Sequence, residues 1–459
     1  MAQANSKQRP TLTTGPIAKT LFLFALPILL GNVLQSLNGS INSIWVGKFL
    51  GEQALAATSN ANIIFVFLLS SIFGIGMAAT ILIAQKVGAQ NILEAKRVVG
   101  TSAVFFIVLS LIISLMGLLF SSLILDWMNT PYDAREMALT YTRIMFLGVP
   151  FMFGYNYIMS ILRGSGDSKT PFYFLILSIV LDIILNPILI FGIGPFPNLG
   201  ITGSALSTLI AQFISFTTLL VYLYRKEYFL LITVKELYLL RIDWSIMRIL
   251  VKKGIPMGFS MVVATSSIVG LFSIINTFGS EATAAFGAAS QISNYVQMPS
   301  VAIGGAVTSM AAQNIGAGNW DRVRRITWAG IGFSILLSAI LVGLLHLFNR
   351  QVLSLFLPNT GNALHIGMVI NDSTLWSFII FGIMFVISGV VRANGAVIIP
   401  LLITFFALWI IRVPLSYYLG ISYGLDTLWL SYPISFTIAL VLIIPYYMFG
   451  KWKDAKMTR

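Results

Sequence analysis

The sequence predicts an all-α polytopic membrane protein of twelve transmembrane helices in two related six-helix bundles. Three observations carry that expectation: long apolar stretches recur along the whole chain, basic residues gather in alternate loops, and the second half repeats the first. Of 459 residues, 57% are hydrophobic and only 9% are charged. With a mean hydropathy of +0.90, that is too little charge to coat a soluble domain.

A helix crossing the ~30 Å hydrocarbon layer needs roughly 20 mainly apolar residues. Such stretches lie near 17–45, 57–85, 100–128, 137–162, 170–194, 200–224, 246–276, 284–312, 326–349, 366–391, 397–420 and 427–450. Strand alternation is absent, which argues against a β-barrel. Buried helices of a large soluble enzyme would need charged outer faces that these segments lack. The expected layout is a tail 1–16, a first lobe 17–224, a linker 225–245, a second lobe 246–450 and a tail 451–459.

The formal charge of +13 could suggest nucleic acid, but the positions of the basic residues explain it better. Of the 28 Lys and Arg, 23 fall in the tails and one set of loops, while the other set holds only Lys48, Arg135, Arg143 and Arg350. Arg412 lies inside a span. This is the positive-inside pattern, so both termini are expected on the cytoplasmic side. No nucleic-acid partner is expected. The polar, basic N-terminus leads into a long span rather than a short apolar core with a cleavage site, so a cleaved signal peptide is not expected. Without Cys there is no disulfide framework or thiolate metal site.

The repeat is read by laying the chain on itself. Ile75, Gly76, Ala78 and Thr80, then Ala84, Gln85, Gly88, Ala89 and Asn91, reappear as Ile303, Gly304, Ala306, Thr308, Ala312, Gln313, Gly316, Ala317 and Asn319, a constant shift of 228 residues. One residue more aligns Pro27 with Pro256, and Arg163, Gly166 and Pro171 with Arg392, Gly395 and Pro400. A constant register over several spans is not chance. An even number of spans per half gives both the same orientation, and repeated bundles of this kind enclose a central pathway and work by alternating access.

At these residues the sequence resembles the multidrug and toxic compound extrusion (MATE) family. The segments that carry the resemblance are VGKFLGEQALAA at 46–57, AQKVGAQNILEAKR at 84–97, ILRGSGDSKTP at 161–171, LDIILNPILIFGIG at 181–194, AAQNIGAGNWDRVRR at 311–325 and IIRVPLSYYLG at 410–420. They touch both halves. The resemblance implies a V-shaped pair of six-helix lobes that exports small amphipathic, often cationic compounds against an inward flow of H+ or Na+. The wider superfamily also holds flippases for lipid-linked precursors and polysaccharides, which is the alternative reading. Such a flippase would want a cationic cavity.

A coupled exporter needs a group that binds its ion. Of fifteen acids, only Asp182 sits well inside a span. Placing an Asp there costs about 2.5 to 3.5 kcal/mol on insertion scales. Asn186 follows one turn on, on the same face. Pro187 then removes a backbone donor and can free a carbonyl one turn back, that of Asp182 or a neighbour. As a purely structural group, Asp182 would clamp a neighbouring helix through Asn42, Ser178 or Thr208.

Family members often read D-T-I-x-V-G in the first span, where this chain has Asn42, Ser43, Ile44, Trp45, Val46 and Gly47. DinF-like members read N-x-x-x-D-P in the fifth span; here the acid and amide have exchanged places, as Asp182 and Asn186. NorM-like members carry acids in the seventh and tenth spans, where the apolar runs of this chain, GIPMGFSMVVATSSIVG and LWSFIIFGIMFVISGVV, contain none. The expected coupling cluster is therefore Asp182, Asn186, Asn42 and Thr208 in the first half of a DinF-like chain. A single carboxylate favours H+, although an Asp with amide, hydroxyl and carbonyl oxygens can also hold Na+.

Gln35 and Asn38 in the first span, and Gln291, Asn294 and Gln297 in the eighth, could line a substrate cavity or serve as interhelical hydrogen bonds. Pro27 and Pro187 are candidate kinks. Arg412 is the lone cation within a span and would neutralise an anion if it faced the cavity. His346 and His365 are too isolated for a metal site. GSGDSK at 164–169 has the wrong spacing for a nucleotide loop, so no nucleotide and no cofactor beyond the coupling ion is expected. The partners expected are small drug-like substrates and membrane lipid. The chain is read as a monomer, not an enzyme, in a bacterial or archaeal cell membrane.

Overall fold

The computed structural model describes residues 12–358 and 361–457, and every regular element among them is helical. The first half runs through α1 (Ile17–Leu50), α2 (Glu52–Gly88), α3 (Ile92–Trp127), α4 (Tyr132–Ser165), α5 (Lys169–Phe191) and α6 (Ile201–Arg225). The second runs through α7 (Trp244–Asn276), α8 (Ser280–Gly316) and α9 (Trp320–Leu347). It continues with α10 (Asn349–Leu353), α11 (Ala363–Thr374), α12 (Ser377–Ala393), α13 (Ile398–Phe405), a π-helical turn (Phe406–Arg412), α14 (Val413–Tyr423), α15 (Leu425–Leu428) and α16 (Ser431–Phe449).

Ten helical stretches among the described residues are long and apolar enough to cross a bilayer, α13–α14 and α15–α16 each counting as one. The pair α11 and α12, bent by 45°, makes an eleventh. The twelfth is α8, which has 37 residues and a single charge, Glu281. Its Ala, Gly, Ser and amide content keeps its hydropathy too low to stand out by composition.

Tertiary contacts gather into two compact units. One takes Leu30–Val251 and the other takes Leu12–Leu29 with residues 252–457, so the division falls inside α1, just after Pro27. In the first unit α4 packs on α2, α3 and α6, and α5 packs on α6. In the second, α8 packs on α9, α11 and α12, and α16 packs on α12 and the π-helical turn. Residues 12–15 are held in the second unit by backbone contacts. Leu12 N donates to Gln313 (2.9 Å), Asn314 donates to Leu12 O (3.0 Å), and Arg322 donates to the carbonyls of Thr14 and Gly15 (2.8 and 2.9 Å).

The long helices expose large apolar residues and bury small hydroxyl residues among their apolar core, unlike the polar surface of a soluble bundle. On α3, Ile107, Leu111, Leu115, Leu119 and Leu123 are exposed while Ser102, Ser110, Ser114 and Ser121 are buried. Small residues let backbones approach, and their hydroxyls satisfy carbonyls that water does not reach. Ser114 donates to Phe146 O (2.8 Å), and a Cβ on Gly164 would stand 2.7 Å from Thr80 O.

The repeat persists in backbone detail. α2 and α8 are each 37 residues long and start after glycines with positive φ, Gly51 (88°) and Gly279 (99°). α4 ends at Gly166 (98°), and α12 is closed by Gly395 (97°). At the turn after α2, however, Gln90 holds φ 58° where the second half has Gly318 at 75°. A left-handed conformation costs an L-residue about 1 kcal/mol relative to glycine. Gln90 is exposed, so Gln90→Gly should raise the thermal unfolding transition by a few degrees in detergent; a lowered transition would contradict this account.

The segment between α6 and α7 is docked on the start of α3. Lys96 Nζ meets Glu236 at 2.6 Å, Thr101 donates to Arg241 O (3.1 Å), and Asp243 N donates to Thr101 (3.2 Å). Gly100 makes room: a Cβ there would stand 2.0 Å from Leu239 O. Partial burial pushes the Glu236 carboxyl up, but hydrogen bonds from Lys96 and Thr233, with the Lys96 charge, outweigh it and hold the group below its ordinary range. A depressed carboxylate stabilises above its ordinary range and stops doing so as pH falls through the lowered value. Amide exchange over residues 232–241 at pH 7 should accelerate in both Gly100→Val and Lys96→Gln, with the larger effect in Gly100→Val. Unchanged exchange in Gly100→Val would rule out the docking.

Candidate functional site

Asp182 lies on α5, about 20 Å along the axis from its first residue, and is only 2% exposed. The helix starts cleanly because Asp167 accepts from Lys169 N (3.1 Å), Thr170 N (3.0 Å) and Thr170 Oγ1 (2.6 Å). GSGDSK is therefore the close of α4 and the cap of α5. Gly203 brings α6 against α5, since a Cβ there would stand 2.4 Å from Leu189 O. That close approach sets Ser207 and Thr208 beside Asp182.

The carboxylate accepts four hydrogen bonds from two neighbouring helices. Oδ2 takes the amides of Asn38 (2.9 Å) and Asn42 (2.8 Å) on α1, and Oδ1 takes the hydroxyls of Ser207 (3.0 Å) and Thr208 (3.1 Å) on α6. Asn186 donates to Asn42 Oδ1 (2.8 Å), tying the second amide of α5 into the same cluster. Among the described residues, no Lys or Arg forms an ion pair with Asp182. A buried charge without a counter-charge is tolerable only when its lone pairs are met. Here four donors meet them.

Two further features bear on chemistry. Asn38 Oδ1 and Asn186 Oδ1 are buried acceptors with no partner. Ser207 and Thr208 each have a second acceptor within reach, Ser204 O, at 2.9 and 3.4 Å. Asp182, Asn186 and Ser207 form the buried side of the cluster, whereas Asn38, Asn42 and Thr208 are half-buried. Tyr141 on α4 lies within electrostatic range of Asp182.

The structure thus brings Asp182, Asn186, Asn42 and Thr208 together and adds Asn38, which the sequence placed among cavity residues, and Ser207. Both additions had a signal: Asn38 is one helical turn before Asn42, and Ser207 adjoins Thr208. Gln35 is exposed on α1. Gln291, Asn294 and Gln297 share a face of α8 in the second unit, where Asn294 is exposed and Gln297 donates to Ser293 O (3.3 Å). α1 continues as a helix through Pro27, and α5 through Pro187, which leaves the Ile183 carbonyl without its usual amide partner.

A single family description, MatE, matches residues 27–188 and again residues 256–418. The chain belongs to the MatE family. The first match contains Asp182 and its α1 partners Asn38 and Asn42. Among its relatives, the probable multidrug resistance protein YoeA of Bacillus subtilis (strain 168) is 39% identical over 96% of this chain and 95% of its own. The probable multidrug resistance protein YpnP of the same organism is 32% identical over 97% and 98%. A crystal structure of MATE in complex with MaD3S shares the fold, with a TM-score of 0.87 over 97% of each chain at 22% identity.

Each hydroxyl on Asp182 is a hydrogen bond to a charged group, worth about 1.5 to 3 kcal/mol in water-soluble proteins and nearer 0.6 in membranes. Thr208→Val keeps shape and removes one donor. It should destabilise this MatE chain by about 1 kcal/mol, read as a lower unfolding transition, and Thr208→Ser should restore it. A Thr208→Ser variant as unstable as Thr208→Val would show that packing, not the hydroxyl, is at work.

Proposed function

We propose that this MatE chain is a proton-coupled multidrug antiporter. It exports small amphipathic, often cationic compounds by alternating access between halves 17–224 and 246–450, joined by the linker 225–245. The observation that carries the reading is Asp182: a buried carboxylate held by four neutral donors and no cation. The multidrug resistance names of the Bacillus relatives support drug-like substrates over lipid-linked precursors or polysaccharides. Absence of acids from α7 and α12 supports coupling in the first half and a DinF-like affinity.

The geometry accommodates a proton without leaving it stranded. When Oδ1 is protonated, Ser207 or Thr208 turns its hydroxyl to Ser204 O and accepts the new proton. The amides of Asn38 and Asn42 stay on Oδ2, but their bonds lose charge assistance and roughly half their strength. Protonation thereby loosens α1 from α5. α1 is the helix that carries Pro27, whose kink, with that of Pro187, would express the change. Na+ would have to displace donors that already occupy both carboxylate oxygens. The unpartnered Oδ1 atoms of Asn38 and Asn186 are what favour Na+ as the second reading.

Asn38 belongs in this proposal with Asp182, Asn186, Asn42 and Thr208, leaving Gln35, Gln291, Asn294 and Gln297 as the polar lining offered to substrate. The positive-inside pattern supports cytoplasmic termini in a bacterial or archaeal cell membrane. In proteoliposomes, an imposed pH gradient should drive ethidium transport, and Asp182→Asn should reduce it at least tenfold with the fold intact by circular dichroism. Undiminished transport in that variant would overturn the mechanism. Transport driven by a Na+ gradient alone would replace H+ by Na+.

A further inference from the structure

The second half carries a charge-inverted counterpart of the Asp182 site. α6 and α16 bury matching positions at a shift of 228: Gly203, Ser204, Ala205, Ser207, Ala211 and Ser215 answer to Ser431, Tyr432, Pro433, Ser435, Ala439 and Ile443. Ser435 therefore stands where Ser207 stands. It even repeats the local bond, donating to Tyr432 O (2.9 Å) as Ser207 does to Ser204 O.

On the facing helix the register changes. Pro171 and Ile179 of α5 answer to Pro400 and Leu408 at a shift of 229, but Asp182, Asn186 and Ile190 answer to Arg412, Ser416 and Gly420 at 230. The π-helical turn Phe406–Arg412 inserts the extra residue. Without it, Ile411 would occupy the position of Asp182. π-Turns inside α-helices occur frequently at functional sites, and this one turns a cation inward.

Arg412 is 4% exposed. Its Nε donates to Ser435 Oγ (2.9 Å), and its guanidinium carbon stands 4.2 Å from the Tyr432 ring centre and 4.3 Å from that of Phe436. The rings cover its faces, but Nη2 is buried with no partner. Among the described residues no Asp or Glu pairs with it. Asp182 has every lone pair answered from within the protein; Arg412 keeps a buried nitrogen, Nη2, with no acceptor and no counter-charge. A guanidinium edge in that state matches an oxyanion, whose planar or tetrahedral oxygens accept paired N–H groups.

We propose that Arg412, positioned by Ser435 and roofed by Tyr432 and Phe436, is a binding site for a small oxyanion, a carboxylate or phosphate group. The site does not depend on the coupling role of Asp182. Its test is binding, not transport. Wild-type protein in phosphatidylcholine nanodiscs is unfolded thermally in sodium benzoate or sodium phosphate against sodium chloride of equal ionic strength. A ligand of the folded state raises the transition.

Benzoate or phosphate at millimolar concentration should raise the wild-type transition by several degrees. Arg412→Met should abolish the shift, Arg412→Lys should keep part of it, and Ser435→Ala should weaken the apparent affinity several-fold. No shift in wild type, or an equal shift in Arg412→Met, would overturn the proposal. If Arg412→Met does not fold, Arg412→Lys and Ser435→Ala decide: responses identical to wild type in both would overturn it. Nanodiscs containing phosphatidylglycerol, without added anion, distinguish the source. A raised transition that benzoate no longer moves assigns the oxyanion to a lipid headgroup; an unchanged transition that benzoate still raises assigns it to a soluble anion.

Discussion

The Asp182 carboxylate is the point at which three helices of the first unit depend on one charge. In hydrocarbon a lone carboxylate is among the least tolerable groups a helix can carry, and it is retained only because α1 and α6 each contribute two donors. The converse also holds. Asn38 and Asn42 are half-buried amides in an apolar span, and their own placement is made favourable by the charge they bind. Gly203 belongs to the same constraint, because α6 reaches α5 closely enough for Ser207 and Thr208 only where no Cβ intervenes.

The rest of the first unit follows from solvent. With lipid outside, apolar packing supplies little preference for one helix face over another, so faces are chosen by size and by hydrogen bonding. The Ser stripe of α3 and Gly164 of α4 are that choice made visible. Where water returns, at the segment between α6 and α7, the devices change to those of soluble proteins: an ion pair between Lys96 and Glu236, a capping box at Thr233, and a glycine admitting a carbonyl.

Most spans were legible because twenty apolar residues in a row have few other uses. α8 is legible as the apolar stretch 284–312, and its register with α2 reinforces it: Gln, Asn and Ser residues dilute its apolar signal while Gly279, Gly304 and Gly316 keep their counterparts. Asp182 was legible by cost, as the one acid with no water to turn to. Asn38 was legible as a polar residue but not as a ligand of Asp182, because spacing along α1 says which residues share a face and not which helix that face meets. The bend between α11 and α12 and the π-turn were not legible, for neither is marked by a proline or glycine at its centre.

That π-turn shows how a duplicated scaffold acquires two chemistries. Substituting Asp by Arg at one position would have produced a cation facing a site shaped for a short side chain. Inserting one residue instead carries the following turns to a register of 230, so that Ser416 and Gly420 still face inward and Arg412 enters between Tyr432 and Phe436. The aromatic pair stands where the first half has Ser204 and Thr208, and the exchange is physically coherent. Small hydroxyls suit a carboxylate that needs donors, and ring faces suit a guanidinium that needs electron density and room. Of the hydroxyls that touch Asp182, only that of Ser207 keeps a counterpart, Ser435, because a hydroxyl can donate to the anion of one half and accept from the cation of the other.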